Sequence, residues 1–209
     1  MDIQTWFAFV AASSALLLIP GPTVLLVLSY AISQGKRVAL ATVAGVALGD
    51  LIAMSASLAG LGALVLASAT LFTALKWVGA VYLIFLGVKL FRSAPTTSLG
   101  DVENVTDTSA ATVFRHATAV TALNPKSIVF FIAFVPQFIA VESPLLPQFS
   151  ILVATFVGLA SINALAYAVL ADTLRAKIAR PSVLAWFSRI GGGALVAMGV
   201  ATATFKRAQ

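Results

Sequence analysis

The sequence predicts an all-α polytopic membrane protein with six transmembrane helices in two inverted three-helix repeats, helices one and four being broken. Three observations predict it. The chain is 60% hydrophobic and 10% charged over 209 residues, whereas a water-soluble domain carries roughly 25% charged residues. Its apolar residues fall into successive runs, each near or above the about 20 residues needed to cross a hydrocarbon core. One extended polar stretch, 93–112, separates three runs from the other three. A chain that has crossed three times continues from the opposite side, so the second trio lies upside down relative to the first.

The first run, about 4–32, contains Ile19-Pro20-Gly21-Pro22. Two prolines remove two amide donors and clash with the preceding turn, and glycine permits backbone geometry closed to other residues, so this run should split into two short helices. The second run, about 38–67, holds Gly45, Gly49 and Asp50, and the third, about 70–91, holds Gly79 and Gly87. Ser93 to Thr112 then places Asp101, Glu103 and Asp107 among Ser, Thr and Pro, the composition of a flexible linker. The fourth run, about 114–140, is interrupted by Asn124-Pro125-Lys126. The fifth, about 147–171, carries Gly158 and Asn163, and the sixth, about 183–205, Gly191 and Gly199. The expectation is one transmembrane domain, 1–209: repeat one 1–92, a cytoplasmic linker 93–112 and repeat two 113–209. Three features recur in order in both halves: a proline break, a glycine five residues before Asp50 or Asn163, and a spaced glycine pair. Membrane helices also use small and helix-breaking residues without any repeat, so common composition stands as the alternative.

The formal charge of +6 comes from basic residues placed singly at the ends of apolar runs, which reads as topology rather than a nucleic-acid surface. Lys36, Arg37, Lys89, Arg92, Arg115, Arg175, Lys177, Arg180 and Arg189 fall on one side, against Lys76, Lys206 and Arg207 on the other. The positive-inside rule puts the linker in the cytoplasm and both termini outside, with Lys206 and Arg207 running against it. The start Met1-Asp2 lacks the positive region of a secretory signal, so the first run is expected to be retained. With no cysteine and no metal-ligand cluster, neither metal nor cofactor is expected. Trp6, Trp77 and Trp186 lie near run ends as interfacial anchors. Gln137 and Tyr82 read as boundary residues, and His116 as solvated at a cytoplasmic boundary.

The chemistry gathers at the breaks. A broken helix is tolerated in hydrocarbon only where protein buries it or a cavity receives it. The segment beginning at Pro22, followed by Thr23, would present free amides and a positive dipole end, which suits a carboxylate. A structural kink packed by its neighbours is the other reading. Lys126 and Asp50 each lie about 12 residues, or about 18 Å, into their runs. A lone charge at that depth costs at least about 2.5 to 3.5 kcal/mol, so the two should be neighbours facing one polar interior. They are either a buried ion pair that fixes packing, or a site in which Asp50 changes protonation while Lys126 or the amides after Pro22 receive a carboxylate. Asn163 is either a hydrogen-bonding partner of the same solute or ordinary glue between helices. Candidate binding residues are thus Pro20, Gly21, Pro22, Thr23, Asp50, Asn124, Pro125, Lys126 and Asn163, with Asp50 and Lys126 as proton-coupling candidates.

Pro20-Gly21-Pro22, Gly45-x3-Gly49-Asp50, Gly79-x2-Tyr82-Leu83-x2-Leu86-Gly87 and Asn124-Pro125-Lys126 together resemble the lysine exporter and homoserine/threonine resistance (LysE/RhtB) family of bacterial translocators. Each motif is weak alone, but their order and spacing cover nearly the whole chain. The resemblance implies export of amino acids or close derivatives across the inner membrane, driven by the proton gradient without ATP. It leaves the cargo open among lysine, threonine, homoserine and leucine. Expected partners are an amino-acid substrate, protons and the lipid bilayer, with a homodimer as a further possibility and no nucleic acid. An intramembrane enzyme would need a nucleophile and base or a metal site, and HExxH, cysteine and an intramembrane histidine are all missing from the sequence. A passive channel or a membrane scaffold remains the alternative, though a scaffold needs neither matched breaks nor midplane charges.

Overall fold

The computed structural model describes residues 1–18, 21–92, 109–171 and 181–204, and every regular element among them is helical. Helix α1 (Ile3–Leu18) starts where the Asp2 carboxylate accepts hydrogen bonds from Thr5 N and Thr5 Oγ1, both 2.7 Å. Helix α2 (Pro22–Ala67) opens with proline in its first turn, where a missing amide costs nothing. Helix α3 (Ala69–Arg92) ends with Lys89 and Arg92 against its negative dipole end. Ser109 caps α4 (Ala110–Ala122), so regular structure begins inside the stretch expected as linker; 93–108 lie outside the described residues. Asn124 caps α5 (Pro125–Ala133), a 3-10 turn (Val135–Phe138) follows, and α6 (Leu145–Val169) and α7 (Pro181–Thr204) complete the fold.

Val38–Leu64 and Leu145–Val169 are long and apolar enough to cross a membrane as they stand. The count is four if each bent pair is one span: Ile3–Leu18 with Pro22–Ala31, bent by 60°, and Ala110–Ala122 with Pro125–Phe138, bent by 43°. Shorter apolar stretches, Trp77–Lys89 and Arg189–Val200, lie in α3 and α7. The described residues thus form an all-α, multi-pass arrangement with both bends where the prolines stand.

One element departs from the sequence expectation. No gap separates the first two runs, because helical turns continue from Pro22 to Ala67. A straight helix would hold Thr23 and Gly49 about 39 Å apart. Yet Thr23 Oγ1 lies 3.5 Å from Thr121 Oγ1, and Gly49 abuts the same Thr121. The chain therefore changes direction between the stretches Pro22–Ala31 and Val38–Leu64. The expected boundary exists in the path of the chain rather than in its secondary structure.

Packing explains the glycines. A Cβ on Gly45 would fall 2.5 Å from Phe114 O, and one on Gly49 2.7 Å from Thr118 O, so α2 and α4 touch backbone to backbone. Helices α3 and α7 meet likewise at Gly87, Gly192 and Gly199, and Gly79 of α3 abuts Ala133 of α5. Gly60, Gly158 and Gly193 instead face open space. The larger core cluster joins Phe9, Phe130, Phe131, Phe134 and Phe156, with the Phe131 and Phe156 rings edge to face at 4.8 Å. Trp77, Val78, Val81 and Phe85 of α3 are exposed. Trp6, expected as an anchor, also donates from Nε1 to Thr155 Oγ1 at 3.0 Å, tying α1 to α6. His116 is exposed, and its Nδ1 lies 2.9 Å from the Tyr30 hydroxyl. Buried Gln148, which the sequence did not flag, pins the turn before α6 through Ala140 N at 2.8 Å and Ala140 O at 3.0 Å.

Candidate functional site

The last carbonyls of α1 have no partner inside their own helix, because the chain breaks after Leu18. Three side chains from the other half supply donors. Lys126 Nζ donates to Leu16 O at 3.2 Å, Asn163 Nδ2 to Leu17 O at 3.1 Å and Tyr167 Oη to Leu18 O at 3.3 Å. In return, Thr23 Oγ1, just past the first break, accepts from Asn124 Nδ2 at 3.1 Å in the second. The two breaks hold each other.

This contact forms one wall of a partly open cavity. Gly21, Thr23, Asp50, Asn124, Lys126 and Asn163 supply its polar wall, and Val24, Val27, Val46 and Ala164 part of its apolar wall. Asp50 is 3% exposed. The structure thus brings Asp50 and Lys126 to the wall of one cavity. Of the other expected residues, Pro22 opens α2 and Pro125 opens α5 beside the cavity rather than lining it. Pro20 lies outside the described residues.

The two helix starts at the breaks are chemically unequal. Asn124 Oδ1 accepts from Lys126 N at 3.1 Å, so the amide end of α5 is partly satisfied by its own cap. Gly21 gives α2 no side-chain cap. The first amides of α2 are therefore the ones left to meet an anion.

Glycine at position 21 has a different reason from the one the sequence suggested. Its φ of −137° and ψ of −174° are extended geometry open to any residue. What glycine provides is room, since a Cβ there would lie 3.3 Å from Lys126 Nζ. Gly21→Ala should keep the break but push the ammonium aside by a few tenths of an ångström. The expected result is normal membrane insertion with the affinity of the cavity for a small carboxylate lowered about threefold or more, measured by equilibrium binding to the purified protein.

Sequence reasoning missed Tyr167 and Thr121. Tyr167 follows Asn163 by four residues and shares its helix face, a spacing that could have found it. Thr121 carried no comparable signal; its hydroxyl matters only because α2 folds back against it.

A sequence model of the LysE type translocator family matches residues 5–205. The chain is 34% identical over 208 residues to the homoserine/homoserine lactone efflux protein of Salmonella typhimurium, covering 100% of both chains. It is 34% identical over 207 residues to a membrane protein of Vibrio cholerae, covering 99% of this chain and 100% of that one. It is 31% identical over 142 residues to the leucine efflux protein of Salmonella choleraesuis, covering 68% of this chain and 66% of that one. No solved structure matches.

Proposed function

This chain belongs to the LysE type translocators, and from that premise we propose that it is a secondary active exporter of amino acids or close derivatives, coupled to protons by antiport. As a translocator it moves a solute rather than converting it, and is not an enzyme. The observation that carries the reading is the mutual clasp of the two breaks around a cavity lined by one buried acid, Asp50, and one half-buried base, Lys126. A zwitterion matches such a wall in charge. Its carboxylate meets the uncapped amides of α2 beside the Lys126 ammonium, and its ammonium meets Asp50. Thr23, Asn124 and Asn163 orient it. Asp50 carries either the cargo's ammonium or a proton, which would make inward proton movement the reverse of cargo export. Efflux by the relatives named for homoserine, homoserine lactone and leucine supports this substrate class.

The same reading has six spans in the bacterial inner membrane, as two inverted repeats, with both termini outside and the linker in the cytoplasm. Its test is efflux from proteoliposomes preloaded with a panel of amino acids and homoserine lactone, with and without an imposed pH gradient. Saturable efflux of at least one compound, accelerated by the gradient, is expected. Flux that neither saturates nor follows the gradient would instead identify a passive channel, and a panel in which nothing moves would overturn the exporter reading.

A further inference from the structure

Of the three carbonyls that end α1, two are served by neutral donors, Asn163 and Tyr167, and only Leu16 O by a cation. The cation is Lys126, whose Nζ lies in the break itself, 3.3 Å from the point a Gly21 Cβ would occupy. The C-terminal end of a half-helix carries a partial negative charge concentrated on such carbonyls. The cavity adds the Asp50 carboxylate and the Thr23 hydroxyl as further oxygen donors. Hard oxygens around a negative half-helix end are the donor set with which membrane transporters of broken-helix design coordinate a free cation.

We propose that Lys126 is a tethered cation, its ammonium standing where a free monovalent coupling ion would otherwise bind between Leu16 O and Asp50. The inference deepens the exporter reading and rests on it. Its first consequence is that the native protein needs no Na⁺, because the chain supplies the charge. Its second is that shortening the side chain leaves a vacancy of cationic character. The cavity would then hold Asp50 and the carbonyl end of α1 with no positive side chain among its described lining residues, and a free cation small enough to enter is drawn there. The vacancy selects for size and charge: Na⁺ fits by oxygen coordination, and ethylammonium reproduces the end of the missing side chain. Choline, without N–H donors and with a bulky head, does not.

The test is efflux by wild type, Lys126→Ala and the double variant Lys126→Ala/Asp50→Asn in vesicles containing NaCl, ethylammonium chloride or choline chloride. Wild-type rates should agree within about twofold in all three salts, and Lys126→Ala should fall at least about tenfold in choline and recover at least about threefold in Na⁺ or ethylammonium. The double variant should lose that recovery, because the acid ligand is gone. Lys126→Ala that is as active as wild type in choline overturns the proposal. So does Lys126→Ala that inserts normally and responds to neither cation, and so does a wild type that itself requires Na⁺.

A second measurement needs no transport. Purified Lys126→Ala should melt about 3 °C or more higher in Na⁺ or ethylammonium than in choline, by binding to the folded state alone. Wild type should melt alike in all three salts. A Lys126→Ala midpoint equal in all three overturns the tethered-cation assignment. Failure of wild type to move any amino acid would instead overturn the exporter reading, so the two failures are distinguishable.

Discussion

Asp50→Asn is expected to lower efflux at least about tenfold at unchanged membrane level and to abolish its dependence on the pH gradient. The substitution keeps the size of the side chain and its capacity to accept a hydrogen bond while removing charge and protonation together. Steric effects are therefore small at a residue only 3% exposed. The electrostatic effect is the larger one, because the cavity that also holds the Lys126 ammonium loses its negative charge. Stability must for that reason be read separately, from the melting temperature of the purified variant. Asp50→Glu, which restores the acid on a longer arm, should recover gradient dependence at a reduced rate. If Asp50→Asn exports at the wild-type rate and still follows the gradient, Asp50 is not on the proton path.

The second large effect concerns the surface that places Asp50. A Cβ on Gly49 would lie 2.7 Å from Thr118 O, 2.7 Å from Thr121 Cβ and 3.0 Å from Ala122 N, and two of those are backbone atoms of α4 that cannot turn aside. Gly49→Val must therefore push α2 from α4, dragging Asp50 away from the break and Thr121 from Thr23. Overpacking of this kind costs about 1 to 3 kcal/mol or more, so the monodisperse fraction recovered after solubilisation should drop severalfold. Gly158→Val is the control. Position 158 has nothing within 4 Å, and the change in helix propensity from glycine to valine, below about 1 kcal/mol, is common to both variants. Equal yields from the two would contradict the close α2–α4 contact.

That contrast bears on what the sequence could tell. Gly45 and Gly158 look like counterparts, each five residues before a polar side chain. One is buried against a helix backbone and the other is open, since a repeat in composition does not require a repeat in packing. The bends at both prolines were legible because proline acts on its own helix. That Asp50 and Lys126 face one cavity was legible because hydrocarbon penalises a lone charge. The hydrogen bonds from Asn163 and Tyr167 to Leu17 O and Leu18 O were not. A backbone carbonyl is the same group at every residue, so no side-chain pattern marks which one will be met from 146 or 149 positions away. The purpose of Gly21 was misread for a related reason, because the space it leaves belongs to a lysine in the other half of the chain.

The glycines that face nothing have a practical consequence. With no cysteine in the sequence, a thiol introduced at Gly60, Gly158 or Gly193 would be unique and would displace no neighbour. Paired spin or fluorescent labels at these points on α2, α6 and α7 would report, free of background labelling, how far each helix travels during one turnover.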